Sequence, residues 1–320
     1  HMRVLFAGSP AIAIPSLEAI AEEHELAAVL SNPPSPQGRG KEILPTPVAQ
    51  AIPRISGGTV PLFEFEKLGP DERQRIADLK PDILVAFAYG KLFGPKFLTL
   101  FPKGGINIHP SLLPRHRGSS PIQQAILDGD EKTGVSVQRI ALKMDSGELL
   151  AVEEFSLDGR ETAFLLSDRC ASIGARLCID VLGAIEKGRE TSWPQRGEAT
   201  YCRKIQKEDG LIDWTRPARA LDAMIRAFDP WPGSYSFIKG QRLNILAAVP
   251  YPGNLAQIPG EALPNAPPGT IIGLDRASGI VVSTGKGFLA LTRLQLSGRK
   301  ALSYKDFANG LRDIAGLALG

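Results

Sequence analysis

Apolar runs of strand length alternate with amphipathic helical stretches through the first half of the chain. Residues 3–7 and 26–30 are predicted to be apolar strands, with a helix over residues 12–23 between them. Strand, helix and strand at this spacing indicate parallel pairing, because parallel strands need a long crossover connection. Residues 83–88 form a continuous apolar run, which is typical of a central strand buried on both faces. The pattern predicts an α/β fold with a Rossmann-like parallel sheet.

The second half of the chain changes to short-strand patterning. A long helix is predicted over residues 162–185, and residues 190–208 show little periodicity and are predicted to be a linker. Apolar strands separated by turn residues follow at 235–239, 243–249, 269–274, 279–284 and 287–296. Several short strands at such spacing predict a small β-barrel. We therefore expect an α/β domain over residues 2–189 and a second domain over residues 209–320.

The composition is that of an ordinary globular protein, with 320 residues of which 43% are hydrophobic and 22% charged. No apolar run reaches the roughly 18 residues of a membrane span, so no membrane partner is expected. Cys170 and Cys178 lie eight residues apart on the predicted long helix, and Cys202 stands alone. This spacing indicates core thiols rather than a disulfide framework. We therefore expect a cytoplasmic protein with reduced cysteines.

Charge is distributed unevenly along the chain. Residues 191–320 carry 16 Lys and Arg against 10 Asp and Glu, whereas the other 190 residues carry 21 against 24. A basic second half is compatible with an anionic macromolecular partner. The alternative interpretation is a surface of scattered, solvated charges, and the counts alone leave both open.

Candidate chemistry begins with Asn107 and His109, two residues apart at the end of a predicted strand. Alternation places both on one face, and Pro110 ends the strand. Asp145 lies in a turn after the returning strand. An amide, an imidazole and a carboxylate are suited to acyl transfer, with Asn107 and His109 donating to an oxyanion and Asp145 orienting the imidazole or relaying a proton. Each residue alone also has an ordinary structural interpretation.

Three other chemistries find less support in the chain. Ser111 is a possible nucleophile, but no G-x-S-x-G elbow surrounds it. No Cys/His cluster has the spacing of metal ligands, so no metal site is predicted. The first strand is followed by Gly8-Ser9-Pro10 without G-x-G-x-x-G, which disfavours a nicotinamide oxidoreductase.

A longer motif surrounds these residues. The sequence Asn-Ile-His-x-Ser-Leu-Leu-Pro-x-x-Arg-Gly at 107–118, followed by Met-Asp-Ser-Gly at 144–147, resembles the 10-formyltetrahydrofolate-dependent formyltransferases. That family formylates glycinamide ribonucleotide, amino sugars and methionyl-tRNA. The resemblance implies a formyl transfer with 10-formyltetrahydrofolate as cosubstrate and no metal, and by itself it does not select the acceptor.

The second half of the chain resembles the family members that act on tRNA. The segments that carry this resemblance are Tyr-Cys-Arg-Lys-Ile at 201–205, Ile-Asp-Trp at 212–214, Ile-Arg-Ala-Phe-Asp-Pro-Trp-Pro-Gly at 225–233, Pro-Gly-Thr-Ile at 268–271 and Gly-Arg-Lys-Ala-Leu-Ser at 298–303. The resemblance implies an OB-like β-barrel that contacts tRNA. It further implies formylation of the α-amino group of methionine on initiator methionyl-tRNA, and we expect a monomer.

Site roles follow from the resemblance, position by position. The implied catalytic residues are Asn107, His109 and Asp145, and the implied folate-binding loop is Ser111, Leu112, Leu113 and Pro114. Phe87, Ala88, Tyr89 and Leu92 are implied to line the pterin pocket. The implied tRNA contacts are Arg39, Lys41, Arg203, Lys204, Arg299 and Lys300. In the family, the loop at 38–41 enters the tRNA acceptor stem.

The chain departs from the family pattern at two places. Residues 32–35 read Asn-Pro-Pro-Ser, where the family commonly has an Asp-Arg pair, and His116 replaces the usual Tyr or Trp. The first departure concerns tRNA contacts rather than the chemistry, and the second keeps a planar ring. Two rival functions stay open: formyl transfer to an amino sugar or nucleotide amine, and a catalytically inactive folate-sensing or RNA-binding protein.

Overall fold

The computed structural model describes residues 1–38, 40–259 and 263–320. The chain forms two compact units, each assembled from separate stretches of sequence. Unit 1 comprises His1–Ile122, Glu131–Leu157 and Leu165–Lys204, and unit 2 comprises Gln123–Asp130, Asp158–Phe164 and Ile205–Gly320. Residues 190–204, predicted to be most of a linker, therefore group with unit 1.

Unit 1 contains eleven strands and most of the helices in the described part of the chain. The strands are β1 (Arg3–Gly8), β2 (Glu25–Leu30), β3 (Ser35–Gln37), β4 (Glu42–Leu44), β5 (Leu62–Phe63), β6 (Ile83–Phe87), β7 (Gly105–His109), β8 (Arg117–Gly118), β9 (Lys132–Arg139), β10 (Leu149–Ser156) and β11 (Tyr201–Cys202). The helices of the first half are α1 (Ile14–Glu23), α2 (Pro47–Ala51), α3 (Pro70–Ala77), α4 (Pro95–Leu98), α5 (Pro121–Leu127, which continues into unit 2) and α6 (Ala163–Glu186, which begins in unit 2).

The central sheet has seven strands in the order β10-β9-β7-β6-β1-β2-β5. The five strands from β7 to β5 are parallel, while β9 pairs antiparallel with both β7 and β10. Every residue of β6 is buried, as expected for a strand covered on both faces. The prediction of an α/β fold with a mainly parallel sheet is thus confirmed. The antiparallel pair at one edge makes the sheet mixed.

Local sequence explains where several elements begin. Pro70 takes the first position of α3 after Gly69, where its missing N–H costs no helical hydrogen bond. Asp71 and Glu72 then lie in the first turn, where negative charge favours the helix dipole. Thr46 caps α2 by accepting the N–H of Ala49. Cys170 and Cys178 are buried in α6, which confirms the prediction of core thiols.

Unit 2 is dominated by antiparallel strands. Its remaining elements are α7 (Ala218–Ala227), β12 (Ser234–Ile238), β13 (Gln241–Pro250), β14 (Ile271–Asp275), β15 (Gly279–Ser283), β16 (Phe288–Leu296), β17 (Leu302–Ser303) and α8 (Tyr304–Asn309). The sheet runs β12-β13-β16-β15-β14, with β17 added to β16. The C-terminal segment forms isolated β-bridges at both edges of this sheet, where Leu319 pairs with Ile238 and Ala318 pairs with Thr270. Across the described ranges, no helix combines the length and apolarity that crossing a bilayer requires.

Candidate active site

The central site lies at the carboxyl end of β7. Asn107 and His109 share one face of this strand, and each has a partner directly opposite on β9. Asn107 pairs with Gln138, and His109 pairs with Ser136. Directly opposed residues of an antiparallel pair project from the same side of the sheet, so these four polar side chains form one cluster. The sequence prediction that Asn107 and His109 lie together at a strand end is confirmed.

The His109 ring is buried and has a defined orientation. Its Nε2 atom lies 2.8 Å from the carbonyl oxygen of His116. Because a carbonyl oxygen only accepts, Nε2 carries a hydrogen in this arrangement. Its Nδ1 atom lies 3.7 Å from Oδ1 of Asp145, which is longer than a hydrogen bond. In the neutral ring Nδ1 is therefore the basic nitrogen, and it faces the carboxylate.

Asp145 reaches the site from the turn between β9 and β10. Its Oδ1 accepts from Nε2 of Gln138 at 3.0 Å, and its Oδ2 accepts the backbone N–H of Gly118 at 2.9 Å. The backbone of Asp145 is left-handed, with φ of 52°, which aspartate tolerates better than most residues. Both of these donors are uncharged, so neither compensates the charge of the carboxylate.

The loop after β7 closes on itself through its own polar groups. The Ser111 hydroxyl donates to the carbonyl of Arg115 at 2.6 Å, and the Ser136 hydroxyl donates to the carbonyl of Ser111 at 2.7 Å. The Leu113 N–H in turn donates to the Ser136 oxygen at 3.2 Å. Ser111 is fully buried and its hydroxyl closes the loop. This arrangement supports a structural role for Ser111 rather than that of a nucleophile.

Gly118 allows the close approach that places a donor beside Asp145. A Cβ atom at this position would lie 2.1 Å from the carbonyl oxygen of Cys202, and φ is 114°. Cys202 belongs to β11, which pairs in parallel with β8 at this point. No L-residue fits here without moving the backbone. The glycine at the end of the sequence motif is therefore needed to position the N–H that Asp145 accepts.

The four residues predicted to line the pterin pocket differ in the burial of their side chains. Phe87 and Tyr89 are buried, whereas Ala88 and Leu92 are exposed. Burial raises the pKa of Tyr89 to about 12, so this phenol stays protonated at neutral pH. Neither Phe87 nor Tyr89 therefore exposes its side chain to a ligand in this structure. Leu92, with 68% of its surface exposed, offers an apolar side chain for a ligand to cover.

The residues predicted for tRNA are mostly exposed. Arg39 lies outside the described residues, and Lys41 is exposed in the β3–β4 hairpin with φ of 51°. Arg203 and Lys204 are exposed in unit 1, just after β11. Arg299 and Lys300 are exposed in unit 2 between β16 and β17. Each of the five described side chains is thus on a surface where a phosphate could be reached, and they are divided between the two units.

The site also contains two glutamines, Gln138 and Gln195, that were not predicted from the sequence pattern. Gln138 contacts Asp145 directly, and Gln195 donates to the backbone carbonyls of Asp145 and Gly147 at 2.8 and 2.9 Å. Gln138 alternates with the valines of β9, in phase with Ser136, and this was the available signal for it. Gln195 carries no local signal, because it lies in a stretch without periodicity.

The arrangement defines the class of chemistry. It contains an amide, Asn107, for which the described residues supply no hydrogen-bond partner, next to an oriented imidazole and a carboxylate. Donors placed for an oxyanion, without a protein nucleophile, are what direct transfer of an acyl group between two substrates requires. The fold and site together define a group-transfer enzyme built on an α/β sheet.

The family follows from comparison with known proteins. Residues 2–182 match the family described as formyl transferase, and residues 204–312 match the formyl transferase C-terminal domain. The chain belongs to the formyl transferase family. It is 43% identical to a protein of Treponema denticola named methionyl-tRNA formyltransferase, over 98% of both chains. It is 39% identical to a protein of Methylococcus capsulatus with the same name, over the full length of both.

Solved structures share the fold at low sequence identity. HypX from Aquifex aeolicus in complex with tetrahydrofolic acid superposes with a TM-score of 0.63 and 19% identity, covering 96% of this chain and 47% of that one. WlaRD, a sugar 3N-formyl transferase, superposes with a TM-score of 0.62 and 17% identity, covering 94% of this chain and all of that one. At such identities the likeness concerns the fold alone.

Proposed function

We propose that this protein transfers the formyl group of 10-formyltetrahydrofolate to the α-amino group of methionine on initiator methionyl-tRNA. The observation that carries the proposal is full-length similarity to relatives named methionyl-tRNA formyltransferase. The cluster of Asn107, His109 and Asp145 at the end of β7 supports the chemistry, because it supplies oxyanion donors and a proton acceptor. Tetrahydrofolate derivatives enter this reaction as a substrate that is consumed, and the protein supplies the catalytic groups.

The reaction begins when the neutral amine attacks the formyl carbon. The new C–N bond forms as the carbonyl electrons move onto the formyl oxygen, and the Asn107 amide donates to that oxyanion. Removing one such donor typically costs roughly 100–1,000-fold in turnover. His109 contributes through Nδ1, because its Nε2–H is already directed at the His116 carbonyl. A proton taken up at Nδ1 gives the ring a positive charge, which stabilises the developing oxyanion.

Proton movement completes the transfer. The amine nitrogen loses a proton on bonding to carbon, and N10 of the folate gains one as its bond to carbon breaks. Asp145 lies beside Nδ1 of His109, so its carboxylate can stabilise positive charge on the ring and relay the proton. The products are a formylated amine and tetrahydrofolate, and no external oxidant or metal is needed for this balance.

The folate and tRNA surfaces are proposed from the residues around this centre. The backbone of residues 111–114 and the exposed Leu92 would contact the folate, which suits a flat heterocycle with polar edges. Lys41, Arg203, Lys204, Arg299 and Lys300 would contact tRNA phosphates, with Arg39 included from the sequence. Unit 2 is proposed to form an OB-like barrel, because its C-terminal segment pairs with residues at both edges of the antiparallel sheet and so connects them. We propose a monomer in the cytoplasm.

The direct test is to incubate the protein with 10-formyltetrahydrofolate and methionyl-tRNA and to measure formylmethionine released from the tRNA. An amino sugar nucleotide and glycinamide ribonucleotide serve as alternative acceptors in parallel reactions. Formylation of methionyl-tRNA at a kcat/KM well above that of the other acceptors is the expected result. Preference for an amino sugar would support the rival formyltransferase function. Absence of turnover with every acceptor would support a binding protein.

The tRNA surface is tested by charge removal. The Arg203→Ala, Lys204→Ala double variant is expected to raise the KM for tRNA while leaving the KM for folate unchanged. The slope of log affinity against log salt should fall by about 1 for each phosphate that is no longer neutralised. Lys80→Ala removes an exposed lysine from another part of unit 1 and is the control. Identical salt slopes for the double variant and wild type would exclude this pair from phosphate binding.

A further inference from the structure

Two glutamine side chains from distant parts of unit 1 hold the turn that carries Asp145. Gln138 projects from β9 and is 2% exposed. Its Nε2 donates to Oδ1 of Asp145 at 3.0 Å, and its Oε1 accepts the N–H of Gly147 at 3.2 Å. Gln195 donates from Nε2 to the carbonyls of Asp145 and Gly147. One amide thus fixes the carboxylate, and the other fixes the backbone that bears it.

The orientation of each amide is determined by its neighbours. Oε1 of Gln195 accepts from Nε and Nη2 of Arg117 at 3.2 and 2.8 Å, while its Nε2 lies between two carbonyl oxygens. Oε1 of Gln138 faces the N–H of Gly147, and its Nε2 faces the carboxylate of Asp145. Reversing either amide would set donor against donor and acceptor against acceptor. The two amides also approach each other, with Nε2 of Gln195 3.4 Å from Oε1 of Gln138.

Residue 195 is held in place by a short pairing with the edge of the sheet. The backbone groups of Trp193 and Leu149 exchange two hydrogen bonds of 3.0 and 2.8 Å. This pairing brings the stretch after α6 alongside β10, next to the turn at 145–147. The turn itself is pressed against β9, since a Cβ at Gly147 would lie 1.7 Å from the carbonyl oxygen of Arg139. The glutamine pair therefore acts on a turn with little freedom to move.

We propose that Gln138 and Gln195 are positioning residues for formyl transfer, an inference that rests on the function proposed above. The carboxylate oxygen that Gln138 holds is the one 3.7 Å from Nδ1 of His109. A neutral amide fixes this oxygen and leaves the carboxylate charge available to the imidazole. Without the amide the carboxylate can rotate away from the ring, and a displacement of about 1 Å at a catalytic group can cost about 100-fold in rate.

The primary test is Gln138→Met, which keeps the length of the side chain and removes its donor and acceptor. We expect kcat to fall about 100-fold, while the KM values for folate and tRNA stay within about threefold, because Gln138 acts through Asp145 rather than on substrate. Gln74→Met is the chemical control, since this exposed glutamine also donates to a carboxylate, that of Asp78, at 2.8 Å. The control variant should retain wild-type kcat.

A coupling experiment separates positioning from general destabilisation. In an Asp145→Asn background, Gln138→Met is expected to lower kcat no further, because residues that act as a unit are non-additive. A further loss as large as in the wild-type background would overturn the proposal. A Gln138→Met variant that keeps the wild-type kcat would overturn the proposal as well.

Wild-type turnover in the same assay distinguishes the two hypotheses. If the wild-type protein does not formylate methionyl-tRNA, the proposed function fails; if it does and the variants match it, only the positioning role fails. Should Gln138→Met not fold, as judged by thermal melting, Gln195→Met carries the same test at a half-buried position. We expect about a tenfold lower kcat there. Failure of both variants to fold would overturn the proposal in favour of a structural pair.

Discussion

Asp145 in unit 1 and Asp222 in unit 2 are both nearly buried, with side chains 12% and 7% exposed, but their partners differ in charge. Asp145 accepts from an amide and a backbone N–H and faces His109. Asp222 accepts from Arg160 at 2.9 and 3.0 Å and from Arg226 at 3.2 Å. Two guanidinium groups compensate the second carboxylate, whereas the donors to the first are uncharged. The comparison supports the proposal that Asp145, whose donors are neutral, takes part in the chemistry.

The largest expected effect is on turnover when the charge of Asp145 is removed. Asp145→Asn preserves the shape of the side chain and tolerates the left-handed backbone, which alanine would strain. We expect kcat to fall about 1,000-fold with only a small change in melting temperature. Steady-state kinetics and a thermal melt of the same preparation measure both. A well-folded variant with near-normal turnover would remove Asp145 from the proposed mechanism.

The equivalent change at Asp222 should act on stability. Asp222→Asn leaves Arg226, whose side chain is only 12% exposed, without its compensating charge. Breaking such a pair typically costs about 3 kcal/mol or more. Urea denaturation followed by fluorescence should report this loss, while kcat measured well below the transition should stay close to wild type. A large loss of kcat in folded protein would contradict the division between the two carboxylates.

A smaller effect is expected from Gly118→Ala, which displaces a donor of Asp145 without changing any charge. The new Cβ would meet the Cys202 carbonyl oxygen at 2.1 Å, and the positive φ adds strain, so we expect a loss of about 2 kcal/mol. We also expect kcat to fall about tenfold as the N–H moves. Gly188→Ala is the control, because φ is 61° there and a Cβ would meet nothing within 4 Å. Equal effects on kcat would mean that the donor position is unimportant.

The smallest effect should come from Arg160→Met. The Arg160 side chain is 48% exposed, so solvent screens its pairing with Asp222, and exposed pairs contribute about 1 kcal/mol or less. Arg226→Met should cost more, since that guanidinium is mostly buried and also donates to the Glu161 carbonyl at 3.0 Å. Chemical denaturation of the two variants side by side gives the order. The reverse order would show that exposure does not decide which guanidinium compensates Asp222.

Much of the site could be predicted because its key residues lie on one strand and in one turn. Alternation along β7 was sufficient to place Asn107 and His109 on one face, and the apolar run of β6 was sufficient to predict a buried central strand. The partners of Asp145 could not be predicted in this way. Gln195 is 50 residues from Asp145 in sequence, and its amide meets the turn only because the chain after α6 folds back along β10.

The sequence by itself determined the main strands of the central sheet, the two longest helices of the first half, the burial of the core thiols and the motif that indicates formyl transfer. These features depend on local periodicity and on residue types at fixed spacing, so they can be read along the chain. Only the tertiary structure decided the hydrogen-bonding nitrogen of His109, the neutral donors of Asp145 and the inclusion of residues 190–204 in unit 1. Those features depend on backbone and side-chain groups that approach each other across the fold, and no local pattern records such distances.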